Sequence, residues 1–166
     1  SARACLDSCR TARILFVSRD DSRIEVTVND RDNRTFDIEG SPAVRQIVVH
    51  DDIRSLSFKV LSGAAETIGY GAIFESAPGV VVDNYSIRSN NGQAMFWTSP
   101  TVNAQINEML GYDLVILQYG LNILEPGIRS FAKYGEQIEK MIAYIRQCFP
   151  TAAVLVRRVR DRRVKA

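Results

Sequence analysis

The 166-residue sequence predicts two architectures in one chain: a β-sandwich of jelly-roll type over residues 1–77, then part of an α/β fold over residues 78–166. Three observations carry this. Up to about Asp83 the apolar residues alternate, with Ile24, Val26 and Val28 on one face and Glu25 and Thr27 on the other, the period of a half-buried strand. Polar turn segments, "RDDS", "NDRDN", "EGSP" and "HDD", recur at short intervals between those runs. After about Pro78, continuous apolar strands alternate with helical stripes, which implies a parallel sheet covered by helices.

In order, the expected strands of the first part are 12–18, 23–28, 34–39, 45–49, 56–61 and 67–75, each rich in β-branched or aromatic residues. With no helical stretch among them, they read as a sandwich. In the second part "GVVVDNYS" (79–86) is an expected strand running into a polar loop. The segment 98–110 is an expected helix with a Ser/Thr cap, a proline in its first turn, and Val102, Ile106, Met109 and Leu110 at helical spacing. "DLVILQ" (113–118) is a buried strand. Residues 130–149 form a helix with Ile138, Met141, Ile142 and Ile145 as its apolar stripe, weakened early by Gly135 and stopped by Pro150. "AAVLV" (152–156) is the last strand.

Composition narrows the function classes. The 46% hydrophobic content is that of a globular protein. No apolar run approaches the ~20 residues that span a bilayer. The start "SARACLDSCRTAR" lacks the apolar core of a signal peptide, and a leader cleaved before it is compatible with this start. The net charge of +2 conceals a basic segment: Arg157–Ala166 carries six basic residues and one acidic residue. With no aromatic residue interleaved to stack bases, it reads as a solvated tail rather than a nucleic-acid surface. Cys5 and Cys9 are spaced for a small disulfide loop in an oxidising compartment, and Cys148 reads as a buried apolar thiol. No second cysteine pair has metal spacing, so neither a metal nor another cofactor is expected.

Ligands of an open parallel sheet bind beyond the carboxyl ends of its strands. Two expected strands end there in polar loops: one at Asp83-Asn84, continuing "YSIRSNNG", the other at Gln118, continuing "YGLN". Gly120 permits a close backbone approach, Asn122 offers a side-chain amide, and the 88–92 loop offers backbone N–H groups. Converging amide donors are what an oxyanion hole requires; an ordinary turn uses the same residue types.

"VVVDNYSIRSNNG" followed by "YDLVILQYGLN" resembles the second and third signature blocks of the SGNH (GDSL-type) hydrolases, and "IEKMIAYIRQCFPTAAVLV" is similar to the helix and strand that follow. The resemblance covers about residues 78–161. Some exported bacterial members also carry a β-sandwich near the second block. The resemblance implies a flavodoxin-like α/β/α three-layer domain and a serine esterase without cofactor. The substrate would be an acyl or acetyl ester of a carbohydrate or cell-wall polymer, and the location periplasmic or extracellular. By the same resemblance Asn122 matches the oxyanion-holding asparagine of the third block and Gly120 the glycine two before it. Ile123 stands where many members have aspartate. Ser89 matches the second-block glycine, with Gly92 the match in an alternative register, and Asn91 and Gly92 line the substrate side.

The first block, Gly-Asp-Ser, and the last, Asp-x-x-His, are missing from the sequence, so the chain is expected to be inactive alone and to supply only the oxyanion side. His50 with Asp51 or Asp52 has the residue types of a base and its orienter, but it falls in a turn of the expected sandwich. The rival reading is a non-catalytic carbohydrate-binding module using Tyr70, Phe74, Tyr85, Phe96 or Trp97 as stacking platforms, although such aromatics also serve as core.

Overall fold

The computed structural model describes residues 8–76, 79–86, 90–119 and 131–157. The chain divides into two compact units, Ser1–Val82 and Asp83–Ala166. The first holds strands β1 (Cys9–Ser18), β2 (Ser22–Val28), β3 (Asp32–Ile38), β4 (Ser41–Ile53), β5 (Leu56–Ser62) and β6 (Thr67–Glu75). They form two three-stranded antiparallel sheets, ordered β4-β1-β6 and β3-β2-β5.

The alternation read from the sequence fixes which side chains face inward. Ala12, Ile14 and Phe16 of β1 and Ile47, Val49 and Ile53 of β4 meet Ile24, Val26 and Val28 of β2 in one buried cluster. Phe36, Ile38, Leu56, Val60 and Phe74 close its margins. This is a β-sandwich: two inner faces sharing one core.

Its turns obey local chemistry. In the three-residue β2–β3 connection, where Val28 faces Asp32, Asn29 and Asp30 have φ of 53° and 58° and the Arg31 N–H donates to the Val28 carbonyl at 3.1 Å, a left-handed turn that favours Asn and Asp. The Asn29 side chain also holds the β4–β5 corner, donating to the Asp52 carbonyl at 2.8 Å and accepting from the Arg54 N–H at 2.8 Å. At the other end the buried Ser18 hydroxyl lies 2.9 Å from Ser22 Oγ and 2.7 Å from Thr67 Oγ1. Thr67 in turn donates to the Gly63 carbonyl at 2.8 Å.

The second unit contains a 3₁₀ turn (Gln93–Trp97), α1 (Pro100–Leu110), β7 (Leu114–Leu117), α2 (Phe131–Cys148) and β8 (Ala153–Val156). β7 and β8 pair in parallel, Leu114 opposite Ala153 through Leu117 opposite Val156. The α2 stripe covers one face of the pair: Met141 and Ile145 are buried with Leu117, flanked by Ile138, Ile142, Val115 and Val154. On the other face Leu114, Ile116 and Leu155 are exposed. Of the three layers the resemblance implies, the described residues thus supply the sheet and one covered face.

Three local expectations are corrected. Ser99 occupies the N-cap position of α1, but its side chain makes no capping bond; Pro100 begins the helix, and the Asn103 N–H donates to the Ser99 carbonyl at 3.1 Å. The deepest α1 side chain is not in the apolar stripe but is Asn107, whose Oδ1 accepts from the Tyr112 N–H at 3.2 Å. Residues 79–86 form no strand, and Val80, Val81 and Val82 are exposed. An apolar run becomes a strand only where a neighbouring ladder takes its N–H and C=O groups, and no described strand pairs with this one. Cys9 and Cys148 are buried free thiols, while Cys5 lies outside the described residues.

Candidate functional site

Beyond the carboxyl end of β7, the described segments 118–119 and 90–92 come together. Beyond Leu117 the chain reaches Tyr119, half-buried against Met141 and its neighbours. The loop at 90–92 arrives at the same place. Gly92 is buried with φ +96°, and a Cβ there would stand 2.7 Å from Met141 Sδ and 3.5 Å from Tyr119 Cε1. The left-handed backbone favours glycine, and a side chain there would displace the end of Met141.

Hydrogen bonds hold the loop. Asn90 Oδ1 accepts the Gly92 N–H at 2.7 Å, and Asn91 Oδ1 accepts the Gln93 N–H at 3.1 Å. From α2, Gln137 Nε2 donates to the Asn91 carbonyl at 3.0 Å. Gln137 precedes Met141 by four residues, so one face of α2 supplies both the amide and the thioether that seat the loop. Neither residue reads as a site residue in the sequence, although their i, i+4 spacing is legible there.

The expected site residues divide accordingly. Asn91 and Gly92 lie in this loop. Ser89, Gly120 and Asn122 lie outside the described residues. The alternative register, with Gly92 as backbone donor, meets a physical obstacle: its N–H is already taken by Asn90. Asp83, expected at the carboxyl edge, instead accepts a hydrogen bond from the Tyr112 hydroxyl, and Tyr112 precedes the amino end of β7. Tyr85 joins them, its hydroxyl 3.0 Å from that of Tyr112. Burial first, and then the Asp83 carboxylate, push the Tyr112 hydroxyl well above the ordinary phenol range.

A second tyrosine supports the loop from behind. Tyr144 on α2 donates to the Thr98 carbonyl at 2.6 Å and accepts from Asn103 Nδ2 at 2.8 Å. Phe96 packs edge-on against its ring, with centroids 5.4 Å apart. Burial, reinforced by the neighbouring Cys148, pushes the Tyr144 hydroxyl up to about 12. Burial likewise raises Tyr119 and Tyr134. In the unfolded chain these phenols ionise near 10. Raised folded values therefore mean stability that is fully present below pH about 10 and lost as pH climbs through the folded values. The second unit should loosen between about pH 10 and 12, with tyrosinate absorbance and loss of helical circular dichroism rising together. Tyr144→Phe should shift the onset. Helical circular dichroism unchanged through pH about 12 would contradict this.

His50 lies in β4 of the sandwich, its Nδ1 3.2 Å from Thr11 Oγ1 at an exposed position. The neighbouring Asp51 accepts from Arg34 at 2.6 Å. Neither aspartate has a hydrogen bond to the imidazole in the described structure, so no base-and-orienter pair is formed there. Among the described residues no group of His, Cys, Asp and Glu is arranged to hold a metal ion. No described helix is long and apolar enough to cross a membrane. Of the aromatics, Phe74 packs against the sandwich core, whereas Tyr70, Tyr85, Phe96 and Trp97 are exposed.

No family model and no curated protein sequence matches the chain. Among solved structures it is distantly similar to a family two carbohydrate esterase from Clostridium thermocellum in complex with cellohexaose, with a TM-score of 0.36 and 11% identity over 92% of this chain and 69% of that one.

Proposed function

We propose that this chain is a piece of an SGNH-type serine esterase acting on an acyl or acetyl ester of a carbohydrate or cell-wall substrate. Residues 1–77 form its accessory sandwich, and residues 78–166 carry the oxyanion side of the site. One observation supports this most: the loops of the two signature-like blocks pack together at the carboxyl end of β7, Gly92 against Tyr119. Ser89 precedes Asn90 by one residue, and Asn122 follows Tyr119 by three. At roughly 3.3–3.6 Å of reach per residue, an N–H at 89 and the Asn122 amide can converge on one oxygen. The proposed roles are donation by the Ser89 backbone N–H and the Asn122 side chain, close approach at Gly120, and substrate contact at Asn91; Gly92, first expected on the substrate side, is buried and seats the loop. The periplasmic or extracellular location belongs to the same proposal.

The test is hydrolytic. A polypeptide containing this chain together with a Gly-Asp-Ser segment and an Asp-x-x-His segment should release acetate from an acetylated oligosaccharide. The 166-residue chain alone should not. No release by the longer polypeptide, or release by the chain alone, rejects the assignment.

A further inference from the structure

Trp97 is the sole tryptophan of the chain and is 85% exposed. An exposed indole forgoes burial worth about 2 kcal/mol or more, so its position invites a reason. It does not hang from a loose loop. Two residues earlier Met95 packs against the core of the second unit, and its N–H donates to the Gly92 carbonyl at 3.3 Å. One residue later the Thr98 carbonyl is held by Tyr144. The residue beside it, Phe96, rests edge-on against the Tyr144 ring. The turn is thus fastened on both sides of the indole, which faces outward.

The surroundings specify the chemistry. The eighteen residues from Asn90 to Asn107 contain no Asp, Glu, Lys, Arg or His, in a chain that is 24% charged. Half of them carry an amide or a hydroxyl: Asn90, Asn91, Gln93, Thr98, Ser99, Thr101, Asn103, Gln105 and Asn107. Gln93, Thr98, Ser99 and Thr101, all within four residues of Trp97 in the sequence, are exposed. A nucleic acid or anionic lipid would call for cations, and an ionic protein interface would show charges at its rim. A flat apolar ring among neutral donors and acceptors instead matches a pyranose, with its apolar face and equatorial hydroxyls.

We propose that Trp97 is a sugar-stacking platform that holds a neutral glycan beside the candidate site. The five-residue 3₁₀ turn from Gln93 to Trp97 places it about 10 Å along the backbone from Gly92, at ~2.0 Å per residue. The platform therefore holds a unit of the chain next to the one that reacts. This rests on the esterase reading for its direction, not for its chemistry, because binding is measured without any hydrolysis.

The sole tryptophan makes the test direct. The 166-residue chain is titrated with the hexamers of cello-, xylo- and N-acetylchito-oligosaccharides while its fluorescence is read. A saturable change with at least one of them is expected. Calorimetry should then show Trp97→Ala weakening binding about tenfold or more, which is about 1.4 kcal/mol, with Trp97→Tyr retaining most of it. No change with any glycan above ~1 mM overturns the proposal. So does a change that follows protein concentration instead of sugar, which would mark the indole as a self-association contact. Loss of hydrolysis in the longer polypeptide with glycan binding intact would reject the esterase reading alone, and the reverse pattern would reject the platform alone.

Discussion

Asn122→Ala in the longer polypeptide should lower kcat for ester hydrolysis by about 10²–10³ with little change in KM or in melting temperature. The reason is differential. An amide aimed at the oxygen of the tetrahedral intermediate binds charge that exists only in the transition state, so its loss falls on kcat. Asn122→Asp should be as damaging or worse, because a carboxylate faces the developing negative charge and offers no donor. A KM effect with kcat preserved would mean that residue 122 only binds substrate. Turnover equal to that of the unsubstituted enzyme would remove it from the mechanism.

Gly63→Ala should destabilise the sandwich strongly. Gly63 has φ +76°, and a Cβ there would stand 2.6 Å from the Asp21 carbonyl oxygen and 2.7 Å from Ser22 Cβ. Backbone, not a pliable side-chain tip, is the obstacle. The left-handed conformation costs a non-glycine residue about 1–2 kcal/mol, and forcing the extra carbon in adds about 1–3 kcal/mol. The Gly63 carbonyl also accepts from Thr67, which contacts the buried Ser18, so the strain reaches the network joining β1, β2 and β6. A loss of about 2–5 kcal/mol lowers the melting point of a unit this size by on the order of 20 °C. Hydrogen exchange should show β1, β2 and β6 losing protection. Gly79→Ala, with nothing within 4 Å and no positive φ, should stay within about 0.5 kcal/mol of the parent. Equal behaviour of the two variants would contradict the account.

The sandwich was more legible in the sequence than the second unit, for a physical reason. Its strands are half-buried, so the alternation of Ile24, Val26 and Val28 records each side chain's direction, and β6 was read with its observed bounds, Thr67–Glu75. β4 is longer than read, Ser41–Ile53 instead of 45–49, because His50, Asp51 and Asp52 are exposed on a strand whose pairing with β1 does not depend on their polarity. In the second unit the apolar stripe of α2 predicted Met141 and Ile145 as core, and they are. "GVVVDNYS" misled because its valines signal a buried strand while strand formation depends on a neighbour the pattern cannot name. The seating of the 90–92 loop by Gln137 and Met141 was hidden for a related cause. Gln137 lies forty-five residues beyond Gly92, and only the fold brings them together. The proposed chemistry at Ser89, Gly120 and Asn122 still rests on the order of residue types in the two loops.

The most direct test is an experimental structure of a polypeptide joining this chain to the Gly-Asp-Ser and Asp-x-x-His segments, treated with a phosphonate ester whose phosphonyl oxygen stands in for the oxyanion. The account predicts Asn122 Nδ2 and the backbone nitrogen of residue 89 each about 2.7–3.1 Å from that oxygen, at the carboxyl end of β7. An Asn122 side chain turned to solvent, or the two loops at opposite edges of the sheet, would contradict it.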